Sequence, residues 1–182
     1  MTFRESNMKI QFPLSQIKYY ATKYENELNN RDKRLSQKIA EQVFPIYKKR
    51  GYLTKREFTT VCEWKTPRTK SRCETNAEEM VREISSIAVR TECEQLRIEI
   101  WNLLVGVGWP TASVFLHFAF PDQYPILDFR ALESLGVSVP KKYSFSFWQE
   151  YTCYCRDLAK KAAVSLRMLD EALWKYSQLH PI

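Results

Sequence analysis

The chain is predicted to be all-α, and three observations predict it. Its 182 residues hold only four glycines. Short runs of strictly alternating apolar and polar residues, the mark of strands, are few. Apolar residues instead recur at helical spacing through most of the length. Hydrophobic content of 45% with 14% aromatics belongs to a chain with a real core, not to a disordered one. A chain of this length makes one domain, or two small lobes sharing a groove.

Pro13-Leu14-Ser15 opens a first helix that runs to about Asn29. A second runs from about Arg31 to Lys49, is disturbed at Pro45, and stops before Gly51. Thr54 caps a third, to about Trp64. "KTPRTKSRCETN" then reads as a basic loop, with Asn76 capping the next helix. There Met80, Ile84, Ile87 and Ala88 line one face, and Leu96, Ile100, Leu103 and Leu104 repeat the pattern. Past Gly106-Val107-Gly108, Pro110 sits just inside a helix, where its missing N–H is not needed. That helix carries Val114, Phe115, Phe118 and Ala119. Asp128 begins a short helix ending near Gly136. Trp148, Tyr151, Thr152, Cys155, Ala159, Ala162, Leu166, Leu169 and Leu173 trace one stripe, on one long helix or on two. Internal repeats, low-complexity tracts and flexible linkers are absent from the sequence.

Lys and Arg number 28 against 21 Asp and Glu, a net charge of +7. The excess is clustered at Lys48-Lys49-Arg50, Lys55-Arg56, Lys65 to Arg72, Lys141-Lys142 and Lys160-Lys161. Such patches attract polyanions and suit nucleic acid, although any one of them also serves as a solvated helix face. The five cysteines are an odd number without a CxxC pair. That pattern fits reduced thiols in a cytoplasm better than a disulfide framework or a zinc site. The start, MTFRESNMKIQF, has no apolar leader core, and no run reaches membrane-spanning length. A cytoplasmic protein is expected, nucleoid-associated if the source is a bacterium.

Two features carry chemistry. Gly106-Val107-Gly108 between two helices makes a hairpin in which glycine permits positive φ and lets another surface come close. Amides at the start of the following helix, with the Thr111 hydroxyl, can hold a phosphate. A tight turn between helices wants glycine too. Asp128 is a favoured N-cap, without a capping box because Ala131 stands where Glu or Gln would be. The helix dipole keeps such a carboxylate ionised, able to stabilise a developing cation or to deprotonate water.

Together, "GVGWPTAS" and "YPILDFRAL" resemble the core of the helix-hairpin-helix DNA glycosylase superfamily, which includes endonuclease III and the adenine-excising mismatch glycosylase. Gly106, Val107, Gly108, Thr111 and Ala112 match the family's hairpin, and Asp128 falls on its catalytic aspartate. The phrase Pro125-Ile126-Leu127-Asp128 is close to the adenine-excising branch, and the close match spans Leu104 to Leu132. The resemblance implies a two-lobed helical fold with a DNA-binding groove between lobes, one of about residues 31–115 and one of about 1–30 plus 116–182. It implies hydrolysis of the N-glycosidic bond of a flipped-out damaged or modified base. Asp128 would stabilise the oxocarbenium ion or activate water, and duplex DNA would be the partner, with no obligate protein partner.

The departures from the family are informative. Where bifunctional members carry a Schiff-base lysine, this chain has Pro110, so the resemblance implies a monofunctional enzyme. After Asp128 only Cys153 and Cys155 remain, too few for an iron–sulfur cluster. The family's hairpin carbonyls often hold a monovalent cation. By position, Trp109, Lys65, Arg68 and Arg130 join the hairpin as DNA contacts; Trp109 could instead simply pack, Lys65 and Arg68 merely solvate their loop, and Arg130 orient Asp128. Trp64 is a wedge or stacking wall, or else core. Glu63 is a candidate general acid, or faces solvent. His117, inside an apolar helix, is a core histidine before it is a pocket residue. The rival functions are a helix-hairpin-helix module that holds DNA without chemistry, and an interaction protein whose basic patches meet an acidic partner. The excised base, and whether the setting is repair or attack on modified phage DNA, lie beyond the sequence.

Overall fold

A computed structural model describes residues 7–181, and half of the N-terminal stretch read for a leader lies outside them. Every regular element among the described residues is helical. In chain order they are α1 (Ile17–Glu27), α2 (Asn30–Lys38), α3 (Phe44–Arg50), α4 (Lys55–Lys65), α5 (Lys70–Cys73), α6 (Glu78–Arg90), α7 (Glu94–Glu99), α8 (Trp109–Ala119), α9 (Phe129–Ser134), α10 (Phe145–Ala162) and α11 (Leu166–Leu179). Two compact units result: Asn29–Phe120, and Met1–Leu28 together with Pro121–Ile182.

In the unit Asn29–Phe120, α2 and α3 are joined by a wide π-helical turn, Ile39–Val43, closed by the Phe44 N–H on Ile39 O. Pro45 follows at once. It has no N–H to give to the preceding turn, and widening that turn accommodates its ring. Gly51, at φ 86°, ends α3. Thr54 and Glu57 then close a reciprocal capping box at the start of α4. The expected basic loop is instead a 3₁₀ turn, Pro67–Thr69, running into α5.

Two periodicities are rotated from expectation. On α6 the buried stripe is Val81, Ile84, Ser85 and Ala88, while Met80 and Ile87 are exposed. Ser85 tolerates burial because its hydroxyl donates to Val81 O and accepts from the Leu53 amide at 2.8 Å. Beyond α7 the chain tightens into a 3₁₀ turn, Ile100–Leu103, which changes the spacing. Ile98, Ile100, Trp101 and Leu104 are buried there, and Leu96 and Leu103 are exposed. The core of this unit is a stack on α8: Trp101 lies 4.2 Å from Phe115, which lies 5.4 Å from Phe58. Burial of each such ring is worth roughly 1.5–3 kcal/mol.

In the other unit, α1 packs along α11 and α9 packs against α11. The Lys9 and Gln11 amides donate to Leu135 O and Ser134 O, tying the N-terminal segment to the end of α9. The C-terminal stripe is carried by two helices. α10 ends at Ala163, at φ 51° in the left-handed region, and Ser165 caps α11 by accepting from the Met168 amide. The residues of the expected stripe are buried on these two helices, except Ala162, which is half-buried.

Candidate functional site

The hairpin belongs to the unit Asn29–Phe120. Leu104 is extended, Gly106 takes φ 85°, and the Val107 amide closes the turn on Leu104 O at 3.1 Å. Gly106 is doubly required. Its φ is left-handed, and a Cβ there would lie 2.7 Å from Cys73 Sγ. Gly108 differs from expectation: its φ of −122° suits any residue, and a Cβ would meet only Pro110 Cδ at 3.9 Å. What Gly108 contributes is an exposed, side-chain-free N-cap to α8. No side chain caps this helix start, Pro110 stands in its first turn, and the Trp109 and Thr111 amides lie beside the glycine. Thr111 is only 6% exposed and Trp109 half-buried.

The residue that shapes the hairpin is one the sequence misplaces. Ala77, not Asn76, is the N-cap of α6. Asn76 is buried and turns to the hairpin, where its Nδ2 donates to Val105 O at 2.9 Å and its Oδ1 accepts from the Val105 amide at 2.8 Å. The same Nδ2 donates to Cys73 O at 2.8 Å. Beneath the hairpin, Cys62 and Cys73 are both buried and share a thiol hydrogen bond. That bond, with Cys62 as donor, holds Cys73 down to about 7 against the effect of burial and pushes Cys62 up.

These contacts bear on the cation that the resemblance implies. Leu104 O and Val105 O each already accept one hydrogen bond, from Val107 and from Asn76. A carbonyl oxygen carries a second lone pair, so Leu104 O and Val105 O both remain able to take part in holding a monovalent cation.

Elsewhere in this unit, Glu63 pairs with Lys70 at 2.8 Å and with Arg31. The Lys70 hydrogen bond, with Arg31 assisting, lowers its pKa. A general acid needs the opposite shift, so this geometry gives Glu63 a structural place between α2, α4 and α5. Trp64 is half-buried and meets Phe118 edge-on at 5.3 Å. His117 is 2% exposed, in the interior beside Phe118. Lys65 is half-buried and Arg68 exposed. Arg72 and Cys73, which end the basic segment, lie directly against Gly106.

Asp128 belongs to the other unit. It is half-buried and caps α9, its Oδ1 accepting from the Arg130 amide at 3.0 Å. Its charge is felt nearby: burial first, and then the Asp128 carboxylate, raise the pKa of Tyr143. Phe129, the next residue, is 47% exposed. The Arg130 guanidinium lies 5.1 Å from the ring centres of both Phe129 and Trp174, and its Nη1 lies 3.5 Å from Ser177 Oγ. These contacts direct its side chain along α11.

The approach to Asp128 is unusual. Residues 124–127 are buried yet belong to no regular element. The Tyr124 ring stacks on Trp148 at 5.5 Å, with the Arg156 guanidinium 5.1 Å from its centre. Arg156 also donates to Gln123 O. The Ile126 amide donates to Asp170 Oδ2 at 3.1 Å, and Ile126 O accepts from the Tyr151 hydroxyl at 2.7 Å. Neither Asp170 nor Tyr151 stands out by sequence spacing, since 44 and 25 positions separate them from Ile126.

No protein-family model matches the chain, and no curated protein matches it. Among solved structures, the 8-oxoguanine glycosylase/lyase of Methanocaldococcus jannaschii, in complex with a 15mer DNA containing 8-oxoguanine, is similar at a TM-score of 0.48. The identity is 18%, over 91% of this chain and 89% of that one. A likeness this loose carries no functional assignment.

Proposed function

We propose that the chain is a monofunctional DNA glycosylase. Water attacks C1′ of a flipped-out nucleotide as the C1′–N bond breaks. The bonding electrons leave with the base, which takes up a proton from solvent as the attacking water gives one up, and an abasic site remains. Asp128 stabilises the oxocarbenium ion electrostatically and orients or deprotonates the water. The start of α8 holds a phosphate of duplex DNA through its main chain, independently of sequence. Lysine and arginine residues of the basic segment supply salt-sensitive affinity.

The single observation that carries the reading is Asp128 itself. It is a half-buried N-cap within the matched phrase Pro125-Ile126-Leu127-Asp128, held against the positive end of a short helix. The hairpin supports it, with a required left-handed Gly106 and an exposed Gly108 before an uncapped helix start. Pro110 offers no amine, so no Schiff base forms at that position and no strand cleavage follows from it. Among the described residues no group of three His, Cys, Asp or Glu side chains could hold a metal ion, and none of the described helices is long and apolar enough to cross a membrane. The setting proposed is cytoplasmic DNA, damaged or modified.

A second reading is favoured by one observation: the bond from the Arg130 amide to Asp128 is all that an ordinary cap needs. On that reading the protein holds DNA without chemistry. Incubation with DNAs carrying damaged, mismatched and hypermodified bases, with mass spectrometry of the released bases, separates the two. Base release by the native chain and not by Asp128→Asn supports the glycosylase. Binding with no released base supports the module.

A further inference from the structure

We infer that Asp170 and Tyr151 are positioning residues for Asp128, acting through the main chain of Ile126. The inference rests on the reading of Asp128 given above. A buried segment outside regular structure must have its main-chain polar groups satisfied by something other than a helix or sheet ladder. At Ile126 both groups are taken, and by side chains from two different helices. Asp170 of α11 accepts the N–H at 3.1 Å, and Tyr151 of α10 donates to the C=O at 2.7 Å.

Asp170 is 6% exposed and Tyr151 fully buried. Burying a carboxylate costs more than burying a neutral acceptor. What the carboxylate gives in return is a charge-assisted bond, roughly twice as strong as a neutral one. Burial, aided by Cys155 and Asp170, keeps the Tyr151 phenol well above its ordinary range. Its O–H therefore remains a donor at any working pH.

Ile126 lies two residues before Asp128. From there the chain must deliver the Asp128 carboxylate onto the Arg130 amide, a contact of 3.0 Å. Rotation of the Ile126 peptide would carry that carboxylate away from the helix start. A misplacement of about 1 Å costs on the order of a hundredfold in rate. Arg156 on Gln123 O, and Tyr124 on Trp148, secure the segment one step further back.

The test uses the full chain with Asp170→Ala, Asp170→Asn and Tyr151→Phe. Hydrogen exchange at the Arg130 amide reports whether Asp128 still sits over α9. Single-turnover base release and DNA affinity report the consequence. Asp170→Ala and Tyr151→Phe are expected to lower Arg130 protection by about tenfold or more, while central α10 amides keep theirs. Base release falls by about tenfold or more, with DNA Kd changed by less than about twofold. Asp170→Asn, which retains an acceptor oxygen, restores most of both. Unchanged Arg130 protection in a folded Asp170→Ala chain overturns the inference, as does lost protection with unaltered base release. If the native chain releases no base, the glycosylase reading falls, and the exchange result alone decides whether these residues position Asp128. If Asp170→Ala does not fold, Tyr151→Phe, which removes one hydroxyl, carries the same comparison.

Discussion

Asn76 holds Val105 by both of its main-chain polar groups, accepting from its amide at 2.8 Å and donating to its carbonyl at 2.9 Å. One amide side chain thereby stands in for a missing β-type pairing and sets the entry to the hairpin. Asn76→Ala should leave the Val105 amide and Val105 O short of a partner, while Cys73 O keeps the main-chain amide of residue 76, at a cost of about 1–3 kcal/mol. DNA affinity should fall with it. Asn76→Asp keeps the acceptor and loses the donor, so an intermediate effect is expected. Denaturant unfolding read beside DNA titration at fixed salt checks both, and full stability in Asn76→Ala would contradict the role.

The two hairpin glycines should respond differently to alanine. Gly106→Ala combines a left-handed φ with an overlap on Cys73 Sγ, and should cost about 1–3 kcal/mol. Gly108→Ala meets open space at an ordinary φ, and should leave stability within about 0.5 kcal/mol. Gly108→Leu should also fold, yet it places bulk at the uncapped start of α8 and should weaken DNA binding at every sequence tested. Equal melting temperatures for Gly106→Ala and Gly108→Ala would contradict this distinction.

Glu171 gives the fold a pH dependence of defined sign. Burial, with a hydrogen bond and repulsion from Glu25, raises its pKa from 4.5 to about 8, and these outweigh the opposing Arg167 guanidinium. As pH climbs above 4.5 the unfolded chain loses this proton while the folded chain keeps it. Stability from this group therefore falls between about pH 4.5 and 8, and levels off above that. The size is on the order of a few kcal/mol. Glu171→Gln should flatten this part of the profile and stabilise the chain at pH 8.5–9 (~ within one unit above the folded value). A native profile that rises through the window would contradict the assignment.

Much of this architecture is legible in the sequence because it depends on local rules. Thr54, Pro110 and the Asp128 cap follow from what helix starts demand, and they stand where expected. The residues from Trp148 to Leu173 read as core positions on both sides of the left-handed Ala163, and all but the half-buried Ala162 are buried. The α6 face is misread because hydropathy selects Met80 and Ile87, whereas the core takes Ser85, a polar residue satisfied on both sides. Leu103 is misread because the 3₁₀ turn that ends on it changes the period.

Within the candidate site, sequence finds the residues of the hairpin and Asp128. It does not find their supports. Asn76 and Asp170 act across 29 and 44 positions, through main-chain groups that carry no sequence signal of their own. Of the two uses read for the hairpin glycines, positive φ holds at Gly106 and not at Gly108, whose φ is ordinary and whose Cβ position is open.

The central claim is that Asp128 does chemistry and is more than a helix cap. Asn is as good an N-cap as Asp, so Asp128→Asn should keep the fold and DNA affinity while removing the charge. The measurement is single-turnover release of a damaged or modified base from duplex DNA, comparing this variant with the native chain. A loss of about a hundredfold or more in base release, with DNA Kd unchanged, is the expected result. Base release by Asp128→Asn at the native rate would contradict the account.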